Sequence, residues 1–159
     1  MSLVEDPIMS VKPINRRNNK QELERKILAR SARVGVLGLG YVGLPLAVEM
    51  AKQGFSVTGI DVDQARVESV NAGISYIPDV PSATLLSLVR TGKLHATQSL
   101  AAIAELDTIS ICVPTPLRKT KEPDLSYVVA AIEAIQTYLR AGLLIILEST
   151  TYPLTLRSF

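Results

Sequence analysis

The sequence predicts an α/β fold in which a doubly wound parallel sheet lies between two layers of helices. Short apolar segments typical of buried strands alternate with helical segments between residues 33 and 147. Alternation of this kind favours parallel strands joined by right-handed crossovers, with helices on both faces of the sheet. The first strand also runs directly into a glycine-rich turn at residues 38–43, which opens onto a helical pattern. These observations predict a three-layer domain whose sheet ends after about its fifth strand.

Five strands and four main helices are predicted in alternating order. The strands cover residues 33–37, 55–60, 93–97, 107–113 and 143–147, and the helices cover residues 41–53, 64–71, 82–91 and 125–139, with a helical turn at residues 100–105. Asp63 and Asp124 are suitable N-cap residues, because a short carboxylate accepts hydrogen bonds from the free amides at the start of a helix. Glycine follows each predicted helix end, where a left-handed backbone conformation is common.

One domain with a hydrophobic core is the expected organisation for 159 residues that are 47% apolar and carry a net charge of +2. Residues 32–159 are predicted to form this domain. Residues 1–31 are predicted to be a leader, poorly ordered up to residue 19, in which the basic run at residues 15–20 is a solvated tail. A short amphipathic helix at residues 21–30 carries Leu23, Ile27 and Leu28 at helical spacing. This helix is expected to pack on the outside of the domain or, alternatively, to form a dimer contact.

Several classes of protein are disfavoured by the composition. Cys112 is the only cysteine, so no internal disulfide can form and a reducing, cytoplasmic location is expected. The first 29 residues lack the apolar core of a signal peptide, and no apolar run is long enough to cross a bilayer. Basic residues are scattered and tryptophan is absent, so neither nucleic acid nor a membrane is expected as a partner.

The turn at residues 38–43 has the pattern G-x-G-x-x-G, which is typical of dinucleotide-binding loops. Gly38 allows the chain to turn sharply, Gly40 lets a diphosphate approach the backbone, and Gly43 permits close packing of helix on strand. Backbone amides at Tyr41 and Val42, at the start of the helix, are expected to point at the phosphates. A structural turn that binds no phosphate is the alternative.

Asp61 strengthens the assignment, because it follows the second strand at close to the spacing of about 20 residues expected for a ribose-binding acid. The strand, turn, helix, strand and acid together predict a Rossmann-type domain that binds NAD. NAD is favoured over NADP since the Asp61 carboxylate would repel a 2′-phosphate. Arg66 weakens this preference, because its positive charge would attract the same phosphate. Arg66 could lie over the adenosine, or it could be a surface residue paired with Glu49 or Glu68.

Two further groups of polar residues follow strands at the same edge of the predicted sheet. Pro114 and Thr115 follow the fourth strand, and Glu148, Ser149 and Thr150 follow the fifth. Ligands of doubly wound sheets bind at the carboxyl ends of the strands, where the strand order reverses. We therefore expect these residues to share one crevice with the glycine turn. A plain rigid turn is the alternative for residues 113–116.

Neither Cys112 nor His95 is predicted to be catalytic. Cys112 ends a buried strand, where a small thiol is commonly part of the core. His95, the only histidine, has no acidic partner within its motif, so a structural role is favoured. No cluster of residues has the spacing of metal ligands, so no metal site is predicted.

Five ordered motifs between residues 32 and 153 resemble those of the UDP-glucose/GDP-mannose dehydrogenases. They are Gly38-Leu39-Gly40-Tyr41-Val42-Gly43-Leu44-Pro45, Gly59-Ile60-Asp61-Val62-Asp63, Cys112-Val113-Pro114-Thr115-Pro116, Glu122-Pro123-Asp124-Leu125-Ser126-Tyr127 and Leu147-Glu148-Ser149-Thr150-Thr151-Tyr152-Pro153. Within the family, they resemble most the branch that oxidises UDP-N-acetylhexosamines.

The resemblance implies an enzyme that oxidises the C6 hydroxyl of a nucleotide sugar to a carboxylate and passes two hydrides to two successive NAD molecules. It implies that the glycine turn binds the diphosphate, that Asp61 and Arg66 bind the adenosine ribose, and that Pro114 and Thr115 lie along the cofactor. Thr150 matches an active-site threonine that holds a water and the reacting oxygen. A homo-oligomer and a role in polysaccharide biosynthesis are implied as well.

The chain departs from the family pattern after Pro153. Family members continue with a Gly-Thr-Thr type stretch, a glutamate-bearing segment, a helical dimer domain and a nucleophilic cysteine, none of which matches residues 154–159. We therefore expect a truncated or frame-shifted product that is inactive by itself. One alternative is a non-catalytic nucleotide-sensing or interaction module on the same fold. Another is a dehydrogenase of 3-hydroxy acids, which would leave the motif at residues 148–153 unexplained.

Overall fold

The structure, a computed structural model, describes residues 16–116 and 124–148. Its helices are α1 (Arg16–Leu28), α2 (Gly43–Lys52), α3 (Gln64–Asn71), α4 (Ser82–Arg90) and α5 (Ser126–Ile135), with 3-10 turns at Leu100–Glu105 and Gln136–Tyr138. Its strands are β1 (Arg33–Leu37), β2 (Ser56–Ile60), β3 (Leu94–Thr97), β4 (Thr108–Ile111) and β5 (Leu144–Leu147). Strands and helices thus alternate as the sequence predicts.

The five strands form one parallel sheet in the order β3-β2-β1-β4-β5. The order reverses beside β1, which pairs with β2 on one side and with β4 on the other. Leu37, the last residue of β1, lies level with Ile60 and Ile111, the last residues of its two neighbours. The predicted Rossmann-type, doubly wound fold is therefore confirmed, and the loops that follow these three strands meet at one edge.

The core consists of two apolar clusters, one on each face of the sheet. Neighbouring residues of a strand point to opposite faces, so Val36 belongs to the cluster beneath α2 and α4, whereas Leu37 belongs to the cluster beneath α5. Leu39 and Leu85 are fully buried in the first cluster, and Ile109 is fully buried in the second. This arrangement gives the three layers that the alternating pattern predicts.

Most element bounds agree with the prediction to within two residues, and the largest differences lie at the start of α1 and at the end of α5, which stops at Ile135 where the prediction runs to residue 139. The predicted helix from residue 41 begins at Gly43, with Val42 as its N-cap residue. The Leu44 N–H already lies 3.1 Å from the Gly40 carbonyl, but Pro45 has no N–H to bind the Tyr41 carbonyl, so the regular helical bonding starts later. Asp63 caps α3 as predicted, accepting from the Ala65 amide at 2.9 Å. The predicted N-cap Asp124 lies one residue before the actual N-cap of α5, Leu125, and its carboxylate accepts from the Ser126 amide at 3.0 Å.

The leader helix differs from its prediction in two ways. It begins at Arg16, so residues 16–19 belong to α1 rather than to a poorly ordered tail. The expected burial of its apolar stripe is wrong for Leu28, whose side chain is 84% exposed. Polar contacts fix the helix instead. The Lys26 ammonium lies 2.8 Å from the Asp107 carboxylate, and the Arg30 guanidinium that follows the helix lies 5.1 Å from the centre of the Phe55 ring.

β3 forms one edge of the sheet, and the Asn71 side chain covers part of that edge. Its amide nitrogen donates to the Ala96 carbonyl at 2.9 Å, and its amide oxygen accepts from the Ala96 N–H at 2.8 Å. The Asn71 side chain thus binds the N–H and the carbonyl of Ala96, which a neighbouring strand would otherwise bind.

Candidate cofactor site

A cavity of about 470 Å³ lies at the carboxyl ends of β1, β2 and β4, where the strand order reverses. Its volume falls within the range of small-molecule sites. Nine of the residues predicted for the site line this cavity: Gly38, Gly40, Tyr41, Val42, Asp61, Arg66, Pro114, Thr115 and Glu148. Gly43 lies under the turn rather than on the cavity wall, and Ser149 and Thr150 lie outside the described residues.

Gly38 and Gly43 are required by the geometry of the turn itself. Gly38 has a φ of +93°, and a Cβ atom there would lie 2.7 Å from the Cys112 carbonyl oxygen. A Cβ atom at Gly43 would lie 1.7 Å from the Gly38 carbonyl oxygen, which no side chain can tolerate. These two glycines therefore bring the turn, α2 and the end of β4 into contact.

Gly40 differs from every other glycine of the chain. Each of the remaining eight glycines either has a positive φ or would place a Cβ atom within 3 Å of its neighbours. Gly40 has neither property, because a Cβ atom there would meet no atom within 4 Å. The fold itself does not require glycine at this position, and the missing side chain leaves open space on the cavity wall.

Asp61 contributes to the structure of the turn as well as to the cavity. Its carboxylate is 5% exposed and accepts hydrogen bonds from the backbone amides of Leu39 at 2.7 Å and Asp63 at 2.9 Å. The sequence pattern predicts only a ribose-binding role for this carboxylate. The structure shows in addition that Asp61 ties the glycine turn to the end of β2.

Arg66 lies over Asp61 at the same end of the cavity. One guanidinium nitrogen lies 3.4 Å from an Asp61 carboxylate oxygen, and another lies 3.6 Å from Asp63. The alternative pairing with Glu49 or Glu68 is wrong, since the guanidinium lies against Asp61 and Asp63 instead. Asp61 and Arg66 thus place a carboxylate and a guanidinium side by side.

Tyr76, which is not among the residues predicted for the site, also contacts the turn. Its hydroxyl donates to the Leu39 carbonyl at 2.7 Å. Burial, followed by the nearby charge of Asp61, raises the pKa of Tyr76 to about 12, so the hydroxyl remains a donor at neutral pH. No sequence motif identifies this contact, because the two residues are 37 positions apart.

Tyr127 and Cys112 also line the cavity, together with Thr115 and Glu148, which follow β4 and β5. Tyr127 comes from the first turn of α5 and is half exposed. Burial, followed by the negative charge of Glu148, raises the pKa of the Cys112 thiol to about 11. A thiol with so high a pKa is a poor nucleophile at neutral pH, in agreement with the interpretation of Cys112 as a core residue.

His95 lies on β3, where its Nε2 atom is 3.5 Å from the Thr58 hydroxyl, and it does not line the cavity. Within residues 16–116 and 124–148, no group of three histidine, cysteine or acidic residues is arranged to hold a metal ion. In the same ranges, no helix is both long enough and apolar enough to cross a membrane.

Residues 32–159 match the NAD binding domain of the UDP-glucose/GDP-mannose dehydrogenase family. The UDP-N-acetyl-D-glucosamine 6-dehydrogenase of Pseudomonas aeruginosa is 39% identical over 124 residues, which cover 78% of this chain and 28% of that protein. The UDP-N-acetyl-D-mannosamine dehydrogenase of Pyrococcus horikoshii is 37% identical over 123 residues, covering 76% of this chain and 29% of that protein. The chain therefore spans less than a third of the length of these relatives.

Solved structures agree with this result. The GDP-mannose dehydrogenase of Pseudomonas aeruginosa superposes with a TM-score of 0.73 at 31% identity, covering 79% of this chain and 30% of the other. The UDP-D-ManNAc dehydrogenase of Pyrococcus horikoshii superposes with the same TM-score at 36% identity, over the same shares of the two chains. The fold, the cavity and these similarities together show that the chain belongs to the UDP-glucose/GDP-mannose dehydrogenase family and corresponds to its NAD-binding domain.

Proposed function

We propose that the cavity beside the glycine turn binds NAD and that this chain is the cofactor-binding part of a nucleotide-sugar 6-dehydrogenase. The proposed substrate class is the UDP-N-acetylhexosamines, because the relatives named above include enzymes of UDP-N-acetyl-D-glucosamine and UDP-N-acetyl-D-mannosamine. The proposal assigns the adenosine ribose to Asp61 and Arg66, and the diphosphate to the turn. It places the nicotinamide end near Pro114, Thr115 and Glu148.

The polarity of the cavity supports this orientation. The Asp61 carboxylate, beside a guanidinium, offers acceptors for ribose hydroxyls at one end. In the middle, the stretch before α2 provides backbone amides that precede the first helical hydrogen bond, and such amides attract phosphate. At the other end, two prolines restrict the loop that presents Thr115.

Gly40 is the observation that carries the proposal. A glycine costs backbone entropy, and where alanine fits without strain it commonly stabilises a protein by about 0.4–1 kcal/mol. A glycine that neither packing nor backbone conformation requires is explained if a ligand occupies the space of its missing side chain. Here that space opens onto the cavity, on the turn to which the diphosphate is assigned.

A pair of glycine substitutions tests this explanation. Gly40→Ala is expected to retain or slightly raise the melting temperature and to weaken NADH binding at least about 10-fold, because the methyl group would occupy the diphosphate position. Gly92→Ala is the matched control. Gly92 has a φ of +70° and lies before β3, away from the cavity, so this variant should lose stability and bind NADH normally. Equal NADH affinity in Gly40→Ala and the unaltered chain would refute the proposed site.

For the whole enzyme, we propose oxidation of the C6 alcohol to an aldehyde and then, with water, to a carboxylate. Each step delivers two electrons and a hydrogen nucleus as hydride to one NAD. The first step releases one proton, and the second, which consumes one water and forms the carboxylate, releases two. NAD supplies only the hydride acceptor, so this domain's part is to bind and orient it. Thr150 is proposed to hold the water and the reacting oxygen, and Ser149 to contact the cofactor. Both assignments rest on the family motif.

The 159-residue polypeptide itself is proposed to bind NAD without oxidising a sugar nucleotide. Covalent oxidation of an aldehyde requires a reactive thiolate, and the only cysteine of the chain is the buried Cys112. Steady NADH production from a UDP-sugar by this polypeptide would contradict the proposal. The division into a leader (residues 1–31) and a cofactor domain (residues 32–159), a cytoplasmic location, a homo-oligomer and a role in polysaccharide biosynthesis remain parts of the same proposal.

A further inference from the structure

Leu39, the residue between the first two glycines of the turn, is held from three directions. Its amide donates to the Asp61 carboxylate at 2.7 Å, and its carbonyl accepts from the Tyr76 hydroxyl at 2.7 Å. Its side chain is fully buried against Gly59, where a Cβ atom would lie 2.8 Å from the leucine methyl groups. Two polar side chains thus determine the orientation of the two peptide planes on either side of Leu39.

The peptide that Tyr76 holds is the one that carries the Gly40 amide. A peptide group is planar, and in the trans form its carbonyl and its N–H point in opposite directions. The described residues include no cis peptide bond. The hydrogen bond from Tyr76 to the Leu39 carbonyl therefore turns the Gly40 N–H away from Tyr76. Without this bond, the peptide could rotate about the flexible backbone of Gly40.

The loop between α3 and α4 holds Tyr76 in place. The Ser75 amide donates to the Ser82 hydroxyl at 3.0 Å, and the Ser75 hydroxyl donates to the Ile77 carbonyl at 3.0 Å. The Ile77 side chain is buried in the core cluster beneath α2 and α4. Tyr76 is thus anchored on both sides along the chain, so its hydroxyl is a fixed donor rather than a mobile surface group.

We propose that Tyr76 is a positioning residue for the cofactor, which acts through the Leu39–Gly40 peptide to aim the Gly40 N–H at the cofactor diphosphate. This inference rests on the proposed function, since it assumes that the diphosphate binds at Gly40. It adds a residue from a different loop to the glycine motif. It also predicts that the contribution of Tyr76 to binding depends on the phosphates of the ligand.

The test is Tyr76→Phe, which removes the hydroxyl and keeps the ring. NADH and ADP-ribose should bind about 3- to 10-fold more weakly, as expected when a single oriented hydrogen bond is lost. Adenosine, which lacks phosphates but retains the ribose and adenine, should bind with unchanged affinity in an NMR titration. Tyr138→Phe is the control, because Tyr138 packs against the core cluster on the other face of the sheet.

The possible results separate this inference from the proposed function. Unchanged NADH affinity in Tyr76→Phe would overturn the inference, and so would an equal loss for adenosine, because the effect would then be a general loosening of the site. Failure of the unaltered chain to bind NADH would overturn the proposed function as well. A second measurement needs no variant: the Gly40 amide resonance of the unaltered chain should shift strongly on addition of ADP-ribose, and an unmoved resonance would contradict the inference.

Discussion

Replacement of Asp61 by asparagine should destabilise the protein even in the absence of any ligand. The carboxylate accepts backbone hydrogen bonds from Leu39 and Asp63. An asparagine side chain has nearly the same shape but only one acceptor oxygen, so its NH₂ group would face one of the two amides. One hydrogen bond to a charged acceptor would be lost, and a buried N–H would be left unsatisfied.

The size of the effect follows from these two hydrogen bonds. The loss of one hydrogen bond to a charged group costs about 1.5–3 kcal/mol, and the penalty for the buried donor that it leaves unsatisfied, about 1–3 kcal/mol, describes the same loss and is not added to it. We expect Asp61→Asn to lower the free energy of unfolding by about 2–3 kcal/mol, a large share of the roughly 5–15 kcal/mol typical of domains. Asp61→Ala should cost at least as much, because it removes both acceptors.

Urea unfolding of the ligand-free protein measures this difference, with Asp63→Asn as the control. Asp63 caps α3 through an exposed hydrogen bond to the Ala65 amide, and asparagine is an equally good N-cap residue. The control removes the same charge two positions away and should change stability by less than about 0.5 kcal/mol. If Asp61→Asn were as stable as Asp63→Asn, the turn would not depend on Asp61, and any loss of NAD affinity would reflect ribose contacts alone.

Three further predictions concern other parts of the molecule. Burial tends to raise the pKa of Asp107, but the hydrogen bonds from the Arg33 amide and from Lys26 outweigh it and hold the pKa below the ordinary value of 3.8. As the pH falls, the unfolded chain therefore protonates Asp107 before the folded chain does, and the stability contributed by the ionised carboxylate is lost below about pH 4. Asp107→Asn should lose less stability over this range in acid unfolding, and an equally steep loss would contradict the prediction. The Cys112 thiol, with its pKa raised to about 11, should react with a disulfide reagent at pH 8 far more slowly in the folded protein than in urea, since only about one thiol in a thousand is ionised; equal rates would refute its burial. The chain should self-associate at high concentration through the edge of β5, where Leu144 and Ile145 are exposed, and Ile145→Lys should restore a monomer in size-exclusion chromatography; an unaltered chain that elutes as a monomer would argue against this contact.

The sequence predicts the strands and the glycine turn because these depend on local patterns. A short apolar run followed by two closely spaced glycines is a local pattern typical of a strand that ends in a tight turn, and the spacing to Asp61 locates the end of the second strand. The contacts that escape prediction join residues far apart in the chain. Tyr76 reaches Leu39 across 37 positions, and Lys26 reaches Asp107 across 81.

Local patterns show neither the surface on which a helix packs nor the ion-pair partners that tertiary structure supplies. Helical spacing alone cannot show whether the fold provides an apolar groove, and Leu28 is exposed because α1 is fixed by polar contacts instead. Spacing along a helix also favours neighbours three or four positions away. Glu68 is only two positions from Arg66 and does not face it on the helix, whereas the Asp61 carboxylate, at the end of the preceding strand, lies 3.4 Å from the Arg66 guanidinium.

Because of the Asn71 side chain, the two edge strands of the sheet, β3 and β5, differ in their capacity to pair with a strand of another chain. A protein whose sheet is open at both margins can add identical copies without limit, and fibres form in this way. Here Asn71 already binds both backbone groups of Ala96 on the β3 edge, so we expect copies to add through the β5 edge rather than through β3. If two chains pair through their β5 edges about a twofold axis, both β5 edges become covered, and association of this kind stops at a dimer.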